Sequence, residues 1–215
     1  MTDSTAAFPP LPKGPSGFAT VKRVLNVGGG SRHIPLPPEY AGYEPVLLDI
    51  DPLGEPDIVL DGRALKTLAG DQFDAVYCSH NLEHYYRHDV PRVLEGFLHV
   101  LKRGGFAQIK VPDMAALMQT VVSQSLELDD VLYQSAAGPI TPLDVMYGLG
   151  RQIESSGVDF YAHRTGFTLK TLNKAVVQAG FEYNFCQLGN LEINLLAFKG
   201  VPDTEALARF GLGPA

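Results

Sequence analysis

Cysteine and tryptophan are scarce in this chain: its 215 residues include two cysteines and no tryptophan. Two thiols cannot build a disulfide framework, and since Cys78 and Cys186 both lie in apolar, strand-like stretches, we expect buried free thiols in a reducing compartment. Also missing is any run of ~18 apolar residues, which excludes a membrane-spanning helix. The start of the chain has no basic stretch followed by an apolar run, so we predict no signal peptide and a cytoplasmic protein.

Positive charge is also in the minority. The chain has 17 lysines and arginines against 24 aspartates and glutamates, which gives a formal net charge of −7. Proteins that bind a nucleic-acid backbone usually carry a basic patch, so this balance disfavours both nucleic acid and anionic membrane as partners. The composition, 45% hydrophobic and 19% charged, is that of a folded globular chain.

The chain divides into three parts. Residues 1–20, rich in proline, glycine, serine, threonine and alanine, are predicted to form a flexible leader, residues 21–200 a single domain, and residues 201–215 a tail. Within the domain, short apolar runs alternate with helical or loop stretches. The predicted strands cover residues 22–27, 45–49, 57–60, 73–78, 106–111, 181–187 and 191–199. The first five are nearly continuously apolar, which is typical of strands buried on both faces of a parallel sheet.

Capping residues indicate where helices lie between these strands. One helix is predicted over residues 89–102, with the basic pair Lys102-Arg103 in its last turn and glycine after it. Two others begin at Thr141 and Thr168, which have the side chain of a helix N-cap. By contrast, residues 35–38 contain three prolines, so the first and second strands should be joined by a loop or a short turn instead of a full helix.

The last two strands are separated only by Leu188, Gly189 and Asn190, which is the spacing of an antiparallel hairpin. Five parallel strands followed by such a hairpin predict one α/β domain with a seven-stranded sheet covered by helices on both faces. Residues 113–165 do not fit this pattern and are predicted to form a helical insertion after the fifth strand. The insertion could be a lid over a binding pocket, a plain packing layer or a homodimer contact.

A glycine-rich turn follows the first strand. Gly28, Gly29 and Gly30 can bring the backbone close to a ligand, and parallel sheets bind ligands at the carboxyl ends of their strands. Asp49 ends the second strand about 20 residues past the first glycine, where a carboxylate can accept both hydroxyls of a ribose. Asp61 follows the third strand and could bind an adenine edge. Each feature alone is a common turn, but together they indicate a nucleotide-type site.

These pieces resemble the class I S-adenosylmethionine-dependent methyltransferases of the broad type-11 group. The matching segments, in the family's order and spacing, are residues 24–31, 46–51, 58–65, 73–84 and 100–113. The resemblance implies a Rossmann-like sheet with strand order 3-2-1-4-5-7-6 and S-adenosylmethionine across the first four strand ends. The cofactor-binding residues that it implies are Asn26, Gly28, Gly29, Gly30, Asp49, Ile50, Asp61, Gly62 and Ser79.

Two residues depart from the family's usual D-x-G-x-G-x-G pattern. Asn26 replaces the acid, and Arg32 stands where the last glycine is expected. A protein with this fold that does not catalyse a reaction, and acts as a binding module, therefore stays an alternative. An enzyme that uses a nicotinamide dinucleotide is disfavoured, because no G-x-G-x-x-G precedes a helix here.

The segment after the fourth strand is rich in histidine. By the resemblance it faces the methyl group and its acceptor, and His84, then His80, are the candidates for a general base. Glu83 and His163 complete the predicted catalytic set. Alternatively, the Leu82-Glu83-His84 triplet could serve only to hold the loop against the next helix.

A metal is the second alternative for this segment. His80, Glu83, His84 and the distal His163 are similar to the E-x-x-E-H motif of magnesium-assisted small-RNA 2′-O-methyltransferases, with His80 in place of the first glutamate. Imidazoles would suit zinc, manganese or iron better than magnesium. Our main hypothesis places no metal in the site. It is methyl transfer from S-adenosylmethionine to a small-molecule acceptor at a hydroxyl oxygen, with a sugar or glycan precursor as the acceptor.

Overall fold

The structure is a computed structural model, and it describes residues 21–212. The predicted leader, residues 1–20, lies outside the described residues. The strands are β1 (Arg23–Val27), β2 (Glu44–Asp49), β3 (Ile58–Val59), β4 (Phe73–Ser79), β5 (Leu101–Pro112), β6 (Tyr133–Ser135), β7 (Gly138–Ile140), β8 (Tyr183–Leu188) and β9 (Glu192–Phe198). The helices are α1 (Val90–Val100), α2 (Met114–Gln124), α3 (Pro142–Tyr147), α4 (Gly150–Ser156), α5 (Leu169–Gln178) and α6 (Thr204–Arg209).

Seven of the strands form one mixed sheet with the order β3-β2-β1-β4-β5-β9-β8. Strands β1 to β5 are parallel to one another, while β9 is antiparallel to both β5 and β8. Strands β6 and β7 form a separate two-stranded hairpin, so β8 and β9 are the sixth and seventh strands of the sheet. The predicted order 3-2-1-4-5-7-6 is therefore confirmed. The parallel strands therefore bring their carboxyl ends to one edge, where β1 and β4 mark the reversal of strand order.

Apolar residues alternate between the two faces of this sheet, as the pleat requires. On one face they pack against α1 and α5, since Leu25 and Ile109 of the sheet belong to the same buried cluster as Phe97 of α1 and Leu172 of α5. The opposite face has no full helix after β1, because the proline-rich connection forms only a 3₁₀ turn over Pro38–Tyr40, which confirms the predicted short connection. Tyr40 and α6 cover this face instead.

Tyr40 is the anchor of the proline-rich connection. Its ring is 4% exposed, and its hydroxyl donates to Oε1 of Gln108 at 2.9 Å. The amide of Gln108 in turn donates to Oδ1 of Asn194, so the buried polar groups satisfy one another across β5 and β9. This network allows a proline-rich loop to close the sheet where a helix is usual.

Replacing Tyr40 with phenylalanine is expected to lower the free energy of unfolding by about 1–3 kcal/mol, because Oε1 of Gln108 loses its buried donor. Urea denaturation monitored by circular dichroism measures this difference. Tyr183→Phe is the matched control, since Tyr183 is 41% exposed on the edge strand β8. Equal losses in both variants would show that the buried hydroxyl contributes nothing specific.

Three sequence predictions are corrected here. Helix α1 ends at Val100, and residues 102–105 lie in β5, because Leu101 is fully buried and pairs with Phe73. Cys186 is exposed, since β8 is an edge strand, whereas Cys78 is buried as predicted. The insertion over 113–165 is not purely helical, because it also contains the β6–β7 hairpin.

Residues 201–215, predicted only as a tail, contain α6, and Phe210 just after α6 is 8% exposed and packs against Tyr40 and Phe106. Within residues 21–212, no helix combines the length and apolar character needed to cross a membrane.

Candidate active site

The glycine turn after β1 is fixed by Asp49. The N–H of Gly30 donates to Oδ2 of Asp49 at 2.9 Å, and the N–H of Asp51 donates to Oδ1 at the same distance. Gly28 and Gly30 have φ angles of +71° and +69°, a conformation that favours glycine. A carboxylate has about four acceptor positions, so Asp49 is held rigidly and still has acceptor capacity for a ligand.

A cavity of about 330 Å³ opens at this edge of the sheet. It lies between the carboxyl ends of the parallel strands and the part of the insertion that includes α4 and a 3₁₀ turn over Asp159–Tyr161. Of the predicted cofactor residues, those that line it are Gly28, Gly30, Asp49, Ile50 and Asp61. The others, which are not part of the lining, are Asn26, Gly29, Gly62 and Ser79.

Gly29 and Gly62, which do not line the cavity, leave space for neighbouring side chains. A Cβ at Gly29 would lie 2.1 Å from the amide nitrogen of Asn26, so the asparagine supports the glycine turn from below. A Cβ at Gly62 would lie 2.4 Å from the hydroxyl of Tyr85. Asn26 therefore supports the turn instead of blocking the cavity, even though it replaces the family's usual acid.

Arg32, the second departure from the family's pattern, points away from the cavity. Its Nη2 lies 2.7 Å from Oδ1 of Asp57, and its Nε donates to the carbonyl of Glu55. Both contacts are on the surface, since half of the arginine side chain is exposed. The guanidinium therefore does not narrow the cofactor site.

Replacing Arg32 with glycine, the residue usual in the family, should leave the affinity for S-adenosylhomocysteine within about twofold of wild type, because only an exposed ion pair is lost. Isothermal titration calorimetry measures this affinity. A gain of about tenfold or more would mean that the arginine obstructs the cofactor.

Asn81 is a lining residue that the sequence reasoning missed. Its side chain packs against Gly28, where a Cβ would lie 2.1 Å from Nδ2. Its Oδ1 is buried and has no hydrogen-bond partner within the part of the chain that the structure describes. A ligand amino or hydroxyl group would satisfy this atom. Its position two residues after β4 is the one feature of the sequence that could have indicated a place in the cavity wall.

Arg63 was missed as well. Its guanidinium forms a salt bridge with Asp61 at 2.6 Å and reaches Oδ2 of Asp89 at 3.3 Å. Burial alone would raise the pKa of Asp61, but the hydrogen bonds from Arg63 outweigh burial and lower it. The carboxylate predicted to bind an adenine edge is thus ionised and oriented by its neighbour.

His80 is held between two carboxylates. Its backbone φ is +50°, and its ring lies 2.9 Å from Glu192 and 3.5 Å from Glu83. Burial tends to lower the pKa of His80, but the hydrogen bonds to the two glutamates outweigh this effect and raise the pKa to about 9. A protonated imidazole has no free lone pair, so this geometry favours His84 over His80 as a proton acceptor.

Glu83, His84 and His163 form a close cluster beside the first cavity. The insertion delivers His163, because the backbone N–H groups of Arg164 and Thr165 both donate to the carbonyl of Glu83, at 2.8 and 3.1 Å. The two imidazole rings meet edge to face with centroids 4.7 Å apart. Each of the three side chains offers one ligand atom, and these atoms lie within 4.8 Å of one another.

A second cavity, also of about 330 Å³, lies between the insertion, the end of β5 and the turn that joins β8 to β9. Its polar lining includes Tyr133, Asn190 and Glu192, and it shares His80, Leu149 and His163 with the first cavity. Two of the predicted catalytic histidines, His80 and His163, therefore line both cavities, whereas His84 lines only the first.

Comparison with known proteins agrees with this geometry. Residues 45–109 match a family described as "Methyltransferase domain". A SAM-dependent methyltransferase from Archaeoglobus fulgidus is 14% identical, with 83% of this chain and 86% of that chain covered and a TM-score of 0.52. Another, from Methanosarcina mazei, is 15% identical, with coverages of 84% and 94% and a TM-score of 0.52. No curated protein sequence matches the chain.

Residues 45–109 thus match a methyltransferase domain, and the chain has the fold of S-adenosylmethionine-dependent methyltransferases. The cofactor that the match and the fold imply is S-adenosylmethionine. Asp49 and the unpartnered Oδ1 of Asn81 fit this group, because it carries ribose hydroxyls and an amino group that can donate to them.

Proposed function

We propose that this methyltransferase acts on a hydroxyl oxygen of a small polar acceptor, with a sugar or a glycan precursor as the acceptor class. The observation that carries the proposal is that His163 lines both cavities and has His84 and Glu83 beside it, with one ligand atom of each within 4.8 Å of the others. A hydroxyl must lose its proton as its oxygen forms the bond to carbon, so the reaction needs groups of this kind beside the acceptor.

The cofactor is assigned to the first cavity, with Asp49 on the ribose hydroxyls and the glycine turn beside it. When bound, S-adenosylmethionine would supply an electrophilic methyl carbon, and its sulfonium sulfur would keep the electron pair of the carbon–sulfur bond as the acceptor oxygen takes the methyl group. The protein's contribution is alignment of the two reactants and removal of the hydroxyl proton.

The acceptor is assigned to the second cavity, whose charges favour a neutral ligand. Glu192 is already paired with His80 at 2.9 Å and with Lys110 at 3.0 Å. Asp144 accepts from the N–H groups of Thr141 and Gly150. With both carboxylates engaged, the cavity offers little to an ammonium group, whereas Tyr133 and Asn190 can exchange hydrogen bonds with hydroxyls.

Methyl transfer from labelled S-adenosylmethionine to a panel of free sugars, nucleotide sugars and size-matched amines tests this proposal. Mass spectrometry and NMR locate the methyl group in the product. We expect methyl ethers of sugar hydroxyls. Methylation of nitrogen or carbon would contradict the oxygen assignment, and cofactor binding without any transfer would favour the non-catalytic alternative.

A further inference from the structure

Glu83 is a buried carboxylate with room for a further partner. The residue is 1% exposed, and within residues 21–212 neither of its carboxylate oxygens has a partner at good hydrogen-bond geometry. Nδ1 of His80 at 3.5 Å and Nε2 of His163 at 4.0 Å both approach Oε1, at ion-pair distances, and neither approaches Oε2. Buried carboxylates are normally hydrogen-bonded, paired or bound to a metal, so Oε2 is the oxygen that a ligand would satisfy.

The two nearby histidines are held in one tautomer. Nδ1 of His84 lies 3.2 Å from the carbonyl of Ala162, and Nδ1 of His163 lies 3.0 Å from the carbonyl of Val145. A carbonyl can only accept, so the proton is on Nδ1 and the lone pair is on Nε2 of each ring. Metal-binding histidines are typically oriented by this kind of contact to a backbone carbonyl.

We propose that Glu83, His84 and His163 bind a divalent transition-metal ion such as Zn²⁺ or Mn²⁺ beside the first cavity, next to the second cavity that His163 also lines. Two imidazole nitrogens and one carboxylate oxygen suit such ions, whereas Mg²⁺ prefers oxygen ligands. The ligand atoms lie within 4.8 Å of one another. Ligands about 2.0–2.2 Å from one ion are at most about 4.4 Å apart, so small rotamer shifts would complete the site.

His80 is not part of this site, in contrast to the hypothesis drawn from sequence spacing. Its ring pairs with Glu192 at 2.9 Å, and the cluster whose ligand atoms lie within 4.8 Å of one another consists of Glu83, His84 and His163. Three protein ligands leave coordination positions open for an acceptor. The inference thus rests on the proposed function, because an ion here would lower the pKa of the acceptor hydroxyl and let its proton leave to water.

Metal binding can be tested without an acceptor. The full chain is treated with a chelator, dialysed and titrated with Zn²⁺, Mn²⁺ and Co²⁺ by calorimetry, and the Co²⁺ complex is examined by visible absorption. Wild type should bind a single ion, and Glu83→Gln and His163→Ala should each weaken binding by about tenfold or more. His33→Ala is the matched control, since His33 is exposed outside the cluster, and it should bind as wild type does.

Thermal unfolding separates the metal site from a purely structural role for Glu83. If the carboxylate is a ligand, added metal should raise the melting temperature of wild type but not that of Glu83→Gln. If the carboxylate serves only to pair with His80, the same substitution should lower the melting temperature and metal should have no effect.

Wild type that binds none of the three ions would overturn the proposal, as would unchanged binding by Glu83→Gln. The product analysis described above is independent of this result. Methylation of oxygen without metal binding would remove the metal site and leave the proposed function intact. Metal binding together with methylation of nitrogen or carbon would support the metal site and contradict the proposed function.

Discussion

Replacing His84 with alanine is expected to lower the turnover number by about 10²–10⁴-fold, because the hydroxyl proton loses the group that promotes its removal. The same loss is expected whether the imidazole takes the proton itself or helps to hold a metal ion. Cofactor affinity should change little, because the glycine turn and Asp49 dominate cofactor binding. Steady-state kinetics at saturating cofactor measures the first quantity and calorimetry with S-adenosylhomocysteine the second.

His33→Ala is the control for this experiment, since it removes an exposed imidazole outside both cavities. Near-wild-type turnover by His84→Ala would exclude His84 from both mechanisms. The loop after β4 would then act by positioning alone, and catalysis would depend on alignment of the acceptor with the methyl group.

Replacing Asp49 with alanine should weaken S-adenosylhomocysteine binding by about 100-fold, because a hydrogen bond to a charged group contributes about 1.5–3 kcal/mol. The substitution also frees the N–H groups of Gly30 and Asp51, which the carboxylate holds at 2.9 Å. The protection against heat that the ligand gives to wild type should largely disappear in the variant. Calorimetry and thermal unfolding with and without the ligand measure the two effects.

Asp49→Asn separates ribose binding from support of the turn, because the amide keeps one acceptor oxygen and most of the shape. An intermediate loss of affinity is expected for it. Glu95→Ala, on the exposed side of α1 where Glu95 pairs with Lys66, is the surface control. If Asp49→Ala binds as tightly as wild type, the ribose contact must be sought at Asp51 instead.

The order of the sheet and the general position of the cofactor site could be predicted from the sequence. Continuous apolar runs indicate parallel strands, and parallel strands place their carboxyl ends at one edge. Gly28, Gly30, Asp49 and Asp61 could be predicted in this way, because each lies at the carboxyl end of a strand or within three residues of it. Local chemistry and strand direction were sufficient for them.

Other lining residues depend on contacts between distant segments, and no local pattern could indicate them. Tyr161 lines the first cavity because the insertion brings it to Asp51 after β2. The guanidinium of Arg63 is oriented by its ion pairs with Asp61 and with the more distant Asp89. Cys186 was misplaced for a related reason. An apolar run predicts a strand, but whether that strand is central or at the edge is decided by the whole sheet.

The histidine cluster shows a further limit of spacing in the sequence. His80, Glu83 and His84 are close along the chain, which suggested a single group. In the structure His80 pairs with Glu192, while the close cluster of possible ligand atoms joins Glu83 and His84 to the distant His163. The partner Glu192 comes from β9, and no local pattern in the sequence could indicate that contact. A positive φ, as at His80, is uncommon at a residue other than glycine and depends on its surroundings.

The hydroxyl of Tyr161 donates to Oδ2 of Asp51 at 3.1 Å, which joins the insertion to the end of β2 across the cofactor cavity. Tyr161 and the neighbouring Phe160 line the first cavity, and the second cavity, proposed for the acceptor, shares His163 with it. A cofactor bound beneath this hydrogen bond would leave only when the bond breaks, whereas a ligand in the second cavity would not depend on it. We therefore expect a compulsory order, in which the cofactor binds first and S-adenosylhomocysteine leaves last. Product inhibition by S-adenosylhomocysteine would accordingly be competitive with the cofactor and not with the acceptor.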